Sequence, residues 1–260
     1  MPFELLAQYL KLPVFALVAS RLGGLLMLQP VLAATSVPMQ VRALLVLGLA
    51  ALLTPLVSLP ADAPDNPLDI LLAMAWEVLL GAMIGLLTAA CFIGLQMGGL
   101  LIAQESGMAF GHIVDPTFED EEAVVSVFYL QLALVVYLVI GGHRALVTAC
   151  LDTFQTIPLL SSHPTALASG PMLCRALSLS GHVALRVAGP TLLALFLVNL
   201  ALGFLSRTMP QLNILAVGFS LKALVAFLLM AVSLPSATEA LIAALQQGCA
   251  WINQLVGTEG

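Results

Sequence analysis

The sequence predicts an all-α, membrane-associated protein. Three observations carry that prediction. Hydrophobic residues make up 61% of the 260 residues and charged residues only 8%, against about 45–50% and about 25% in an ordinary soluble domain. Charge-free windows up to 27 residues long recur along the chain, and a bilayer crossing by a helix needs about 20. The period-two alternation of a β-barrel strand is absent. Eight Lys+Arg and fourteen Asp+Glu cannot coat a water-soluble globule of this size. The net charge of -6, with no basic cluster, argues against nucleic acid as a partner, because nothing neutralises phosphates.

Taken in order, the windows run over 22–41, 43–59, 78–104, 123–143, 187–206 and 212–234, the last broken only by Lys222. Gln29, Pro30 and Pro38 interrupt the first. A weaker stretch, 240–258, carries Gln246, Gln247 and Asn253 and reads as an amphipathic end helix. Their Leu, Ala and Val content makes these segments helical. The first segment is expected to be retained rather than cleaved as a signal peptide, because Glu4 precedes it and Lys11 interrupts it. Polar connectors are expected at 60–67 (PADAPDNP), 115–122 (DPTFEDEE) and 161–171 (SSHPTALASGP). The acids of the second complement the N-terminus of the helix that follows. Basic residues are scattered singly, so no positive-inside bias emerges.

Cys91, Cys150, Cys174 and Cys249 lie far apart without a CxxC pair, and read as small apolar side chains rather than a disulfide or zinc framework. No HExxH, GxSxG or phosphate loop is present. Catalytic, metal and cofactor sites are therefore not expected. His143 and Arg144 close the fourth window, where they suit a helix C-terminus. Asp152 reads as a hydrogen-bonded interfacial acid.

Polar groups within apolar helices call for partners. Glu77, Gly81 and Gly85 share one helix face at steps of four, and Gly94 and Gly98 repeat the spacing. Glycines so placed admit a close neighbouring helix. Asn199, Gly203 and Arg207 repeat the step, followed by Met209, Pro210, Gln211 and Asn213, then Gly218, Phe219 and Lys222. Pro210 breaks the helix there. Arg207 and Lys222 either snorkel to water or pair with an intramembrane acid such as Glu77. In QESGMAFGHIVD, residues 104–115, Gly107 and Gly111 bracket Met108 and Phe110. Such apolar tips belong in a buried re-entrant loop or in a plug that fills an idle pore.

The run NxxxGxxxRxxPQxN followed by GFxxK, at Asn199, Gly203, Arg207, Pro210, Gln211, Asn213, Gly218, Phe219 and Lys222, resembles the FliR family of flagellar biosynthesis proteins. It is also similar to their counterparts in virulence-type injectisomes, the SctT proteins. Arg21 and Pro30, Pro38 with Arg42, Glu77-Gly81-Gly85, Asp115-Pro116, Gly142-His143 and Pro158 add supporting matches. The glycine-rich stretch 107–115 follows the family only loosely.

The resemblance implies a core subunit of a type III export gate, a channel for unfolded flagellar subunits built with FliP and FliQ. FlhB and FlhA dock on that core, in the cytoplasmic (inner) membrane at the flagellar basal body. It implies helical hairpins wound into a helical assembly, with residues 1–180 FliP-like and 181–260 FliQ-like. Met108 and Phe110 would lie in the plug. Glu77, Arg207 and Lys222 would make charged contacts between helices, and Gly81, Gly85 and Gly203 would allow close packing. No bond chemistry and no cofactor are expected. The alternatives are an injectisome gate or an ion-coupled small-molecule transporter, with an intramembrane enzyme behind both.

Overall fold

Proline and glycine set the helix boundaries. The computed structural model describes residues 12–30, 37–57, 67–108, 123–160, 169–209 and 214–257, and the elements among them are helical. Helix α1 spans Leu12–Met27, stopping short of Pro30. Pro38 caps α2, Met39–Leu53, with an extended ψ of 142°, and a short 3-10 turn, Thr54–Leu56, ends it. The Thr54 hydroxyl donates to the Ala50 carbonyl at 2.6 Å there. The window 22–41 is thus not one span. Its prolines divide it between two helices, and α1 starts ten residues before it.

Helix α3, Pro67–Ser106, opens on a proline whose fixed φ suits the first turn, with Asp69 nearby. Gly107, at φ +81°, closes it. Helix α4 covers Val124–Val139. Gly141, at φ +72°, breaks the chain before α5, Gly142–Thr156. His143 and Arg144 therefore lie in the first turn of α5, not at the C-terminus of the preceding helix as expected. The left-handed glycine ends α4 two residues earlier.

Helix α6, Ser169–Thr208, and helix α7, Ile214–Gly257, are 40 and 44 residues long. Each runs through an internal proline, Pro190 and Pro235. The described residues of the separate windows 212–234 and 240–258 fall on one helix that runs through Pro235, as prolines can within membrane helices. At 1.5 Å per residue, α3, α6 and α7 are about 60 Å long or more, roughly twice the hydrocarbon core of a bilayer.

Four helical stretches among the described residues are long and apolar enough to cross a membrane: Met39–Leu56, Leu68–Ser106, Gly170–Thr208 and Val217–Ile252. There are five if α4 and α5 form one broken span. The protein is an integral membrane protein.

The chain forms two compact units, neither of them continuous in sequence. The first contains Met1–Ala90, Gly141–Leu177 and Leu245–Gly260. Its core draws Leu17, Leu22 and Leu25 from α1, Leu80 and Leu87 from α3, and Leu146 from α5. Glycines let α1 and α3 touch along their backbones. A Cβ on Gly81 would fall on the Arg21 carbonyl, one on Gly24 on the Val78 carbonyl, and one on Gly85 would lie 2.7 Å from the Leu25 oxygen. From Gly81 against Arg21 to Gly85 against Leu25 the contact moves four residues along each helix, so α1 and α3 run in the same direction.

The second unit contains Cys91–Ile140 and Ser178–Ala244. Here α3 again offers glycines. A Cβ on Gly94 would lie 2.6 Å from the Ser180 oxygen of α6, and one on Gly99 2.8 Å from the Ser126 Cα of α4. The rings of Phe92 and Tyr137 meet edge to face at 5.3 Å. Gly203, expected to serve a close helix contact, stands open, with no atom within 4 Å of a Cβ built there.

These surroundings separate two substitutions. Gly81→Ala should lower stability by about 1–3 kcal/mol, because the new methyl must displace backbone. Gly203→Ala should be neutral or stabilising by up to about 1 kcal/mol through helix propensity. Equilibrium unfolding of the detergent-solubilised protein measures both.

Candidate functional site: a buried arginine where three helices meet

The glycine seam between α1 and α3 has a charged end. Glu77 lies one turn before Gly81, and the backbone of Arg21 is what Gly81 touches. The two side chains therefore arrive on the same side of the seam. Arg21 Nε donates to Glu77 Oε2 at 2.5 Å, with the two residues only 1% and 2% exposed. A buried carboxylate and a buried guanidinium each need such a partner, since either alone would forfeit its hydration.

Arg21 also reaches the C-terminal end of α5. One terminal nitrogen donates to the Thr153 carbonyl at 3.2 Å, to the Thr153 hydroxyl at 3.3 Å and to the Ile157 carbonyl at 3.2 Å. The other donates to the same Ile157 carbonyl at 3.2 Å. The Thr153 carbonyl also accepts the Ile157 amide at 2.9 Å, and the carbonyls at a helix's end carry the negative end of its dipole. A cation supplied from another helix fits that place. The Phe154 ring lies 4.3 Å beneath the guanidinium carbon, adding a cation–π contact. The planar, five-donor fork of arginine makes all these contacts at once, which a lysine ammonium cannot. Beyond them, the turn after α5 buries Leu159 and holds Leu160 at φ +65°.

The sequence left Arg207 and Lys222 either snorkelling to water or pairing with an intramembrane acid such as Glu77. The structure gives it Arg21 instead. Sequence reasoning noted Arg21 only as a supporting match and missed its role. A signal was present: RLGG and EVLLG each place a charge within one turn of a glycine, and close helix approach at those glycines brings the charges together.

Other sequence-predicted residues fall elsewhere. Met108 is half-buried just past the end of α3, while Phe110 lies outside the described residues. Asn199 is half-buried on α6, Arg207 is exposed in its last turn, and Lys222 is half-buried on α7. Phe219 is exposed, and Gly218 is buried, its Cβ position 3.1 Å from Leu202. Pro210, Gln211 and Asn213 lie outside the described residues, as does Asp115-Pro116.

Residues 12–248 match the bacterial export proteins, family 1. The chain belongs to this family. It is 33% identical over 218 residues to the flagellar biosynthetic protein FliR of Escherichia coli (strain K12), covering 83% of this chain and 82% of that protein. It is equally similar to FliR of Pectobacterium carotovorum subsp. carotovorum, 33% over 197 residues and 73% of each chain. A more distant relative is the Yop proteins translocation protein T of Yersinia pestis, 22% identical over 189 residues and 72% of each chain. The FliR resemblance read from the sequence holds, together with its injectisome branch.

The multiple contacts of Arg21 set the pattern expected of its variants. Arg21→Ala or Glu77→Ala should each cost about 3–5 kcal/mol by leaving a buried charge unpaired. The exchange Arg21→Glu with Glu77→Arg should not restore stability, because a carboxylate at 21 would face the Thr153 and Ile157 carbonyls. Denaturant unfolding of the single and double variants supplies the comparison. Full recovery in the exchanged pair would show that the ion pair alone matters.

Proposed function

We propose that this protein is a core subunit of a flagellar type III protein export gate. In this reading it forms a channel with FliP- and FliQ-type proteins through which unfolded flagellar subunits leave the cytoplasm. The supporting observation is the family match over residues 12–248, together with the identity to flagellar relatives, 33% against 22% for the Yersinia translocation protein.

The helices are consistent with an assembly. In an apolar 18-residue segment of Val217–Ile252 only 17% is buried by the rest of the chain, and in one of Gly170–Thr208 only 28%. Helices this long exceed a bilayer crossing, and surface this apolar does not stand in water. Neighbouring subunits would take up the remainder. A FliP-like part in residues 1–180 and a FliQ-like part in 181–260 belong to the same reading. So does docking of FlhB- and FlhA-type proteins, at the basal body in the cytoplasmic membrane.

Within that gate, Met108 and Phe110 would stand in a plug, since an idle export channel needs a tight apolar constriction against ion leakage. Arg207 and Lys222 would make charged contacts that hold hairpins in register. The chain itself would carry out no bond chemistry.

Co-expression with FliP and FliQ partners, mild detergent extraction and native mass spectrometry test the proposal. This chain should appear inside a large mixed particle. A monodisperse particle of this chain alone, formed with both partners present, would overturn it. Restored motility in a flagellated cell lacking its FliR would favour the flagellar system over the injectisome.

A further inference from the structure

Helices α6 and α7 are joined through residues 209–213, and within the second unit Leu202 of α6 meets Gly218 of α7, whose Cβ position lies 3.1 Å from the leucine side chain. Neighbouring helices joined this closely run antiparallel. One turn further from the connection, three residues before Leu202 and four after Gly218, come Asn199 and Lys222. Steps of three and four stay on one helix face. The two polar residues therefore lie on the facing sides of α6 and α7, within about one turn of the same level. Both are half-buried. The hairpin thus brings together the first and last residues of the run that begins NxxxG and ends GFxxK.

Lys222 stands in apolar surroundings. Phe219, Leu221, Leu224 and Phe227 of α7 are exposed, as are Phe196 and Leu200 of α6. Lys222 is eight residues past Ile214, the start of α7, a rise of about 12 Å that a four-carbon stem does not span. An ammonium at that depth calls for an opposite charge. The acids among the described residues of this unit are Glu105 and Glu239, and neither forms a salt bridge with Lys222.

The site itself says what kind of group completes it. Lys222 supplies a positive charge and Asn199 an amide that donates beside it. A carboxylate accepts from both, one oxygen to each. Lipid phosphates lie outside the hydrocarbon layer, so a carboxylate at this level is carried by a side chain on an apolar helix. There is room for such a helix. Gly203, one turn from Asn199 on the same face, has no atom within 4 Å of a Cβ built on it, and an open glycine lets another backbone approach closely.

We propose that Asn199 and Lys222 form a docking point for a carboxylate-bearing apolar helix of a neighbouring subunit, which packs across the open Gly203. The proposal rests on the function given above, since that function supplies the neighbour. The single chain carries half of an ion pair, and assembly completes it.

Two measurements on the chain co-expressed with FliP- and FliQ-type proteins test the docking point. An apolar carbodiimide joins an amine to a carboxylate that touches it. In the mixed particle it should link Lys222 to an Asp or Glu on an apolar helix of a partner, read by peptide mass spectrometry. A link to Glu105 or to the acids of residues 115–122 of this chain, or no link at Lys222, would overturn the docking point. The second measurement uses Lys222→Met, which keeps the length of the side chain without its charge. It should leave the thermal midpoint of the isolated chain unchanged or raise it, yet lower the yield of mixed particle at least about tenfold. Lys222→Arg should keep most of that yield, and Gly203→Ala should reduce it. An unchanged yield with Lys222→Met would overturn the docking point and leave the function standing. No mixed particle with the parent chain would overturn both. The link in the parent complex decides the matter even if Lys222→Met folds poorly.

Discussion

The first unit depends on one arrangement: a guanidinium buried where two helices touch along their backbones and a third ends. Arg21 meets Glu77 of α3 and the carbonyls of Thr153 and Ile157 at the end of α5. Typical axes stand about 8–10 Å apart, and it is Gly24, Gly81 and Gly85 that bring α1 and α3 into backbone contact. The glycines create the approach, and the charge pair exploits it. Replacing a buried ion pair by apolar side chains is often neutral or stabilising. Its worth here lies in specificity. Apolar helices in apolar surroundings slide past one another with little penalty, because leucine meets lipid or leucine equally well.

The same helix serves the second unit by the same means. Beyond Ala90, α3 offers Gly94 and Gly98 to α6 and Gly99 to α4. Among the described residues no salt bridge accompanies those contacts. That unit relies on small-residue packing and on aromatic contacts such as Phe92 with Tyr137. Its apolar surface is left largely uncovered on α6 and α7.

Much of the fold was legible in the sequence, for definite reasons. Helical class and membrane association follow from 61% hydrophobic content and charge-free windows, because the bilayer forbids unsatisfied backbone. Helix ends were less legible. Windows bounded by charge stop where a charge occurs, yet α3 runs back past Glu77 and Asp69 to Pro67. A helix tolerates a charge that finds a partner, and the partner is remote in sequence. Internal prolines misled in the other direction, splitting a window that α7 keeps whole through Pro235. Glu77 and the Gly81-Gly85 face were found by spacing. Arg21 was not tied to them, since 56 residues separate the two charges and periodicity speaks only within one helix. Gly203 shows the limit of the spacing argument. A step of four marks a possible seam, and only a neighbouring helix makes it one.

A sliding displacement shows why charge and glycine work together in α1 and α3. Moving α1 by one turn, about 5.4 Å, keeps leucines facing leucines. It also draws Arg21 away from Glu77 and from the Thr153 and Ile157 carbonyls. Gly24 and Gly81 would no longer sit against the backbones they now touch, and residues carrying a Cβ would take their place. The shifted register then fails twice, once through unpaired buried charge and once through backbone collision. Either device alone leaves a tolerable alternative: glycines without the charge pair admit several close registers, and the pair without glycines tolerates a wider separation, since both side chains are long. The parallel direction of the two helices adds to this, because antiparallel packing would reverse the order of Arg21 and Gly24 relative to Glu77 and Gly81. Register and direction are therefore set by a handful of residues on two helices whose remaining faces are almost interchangeable.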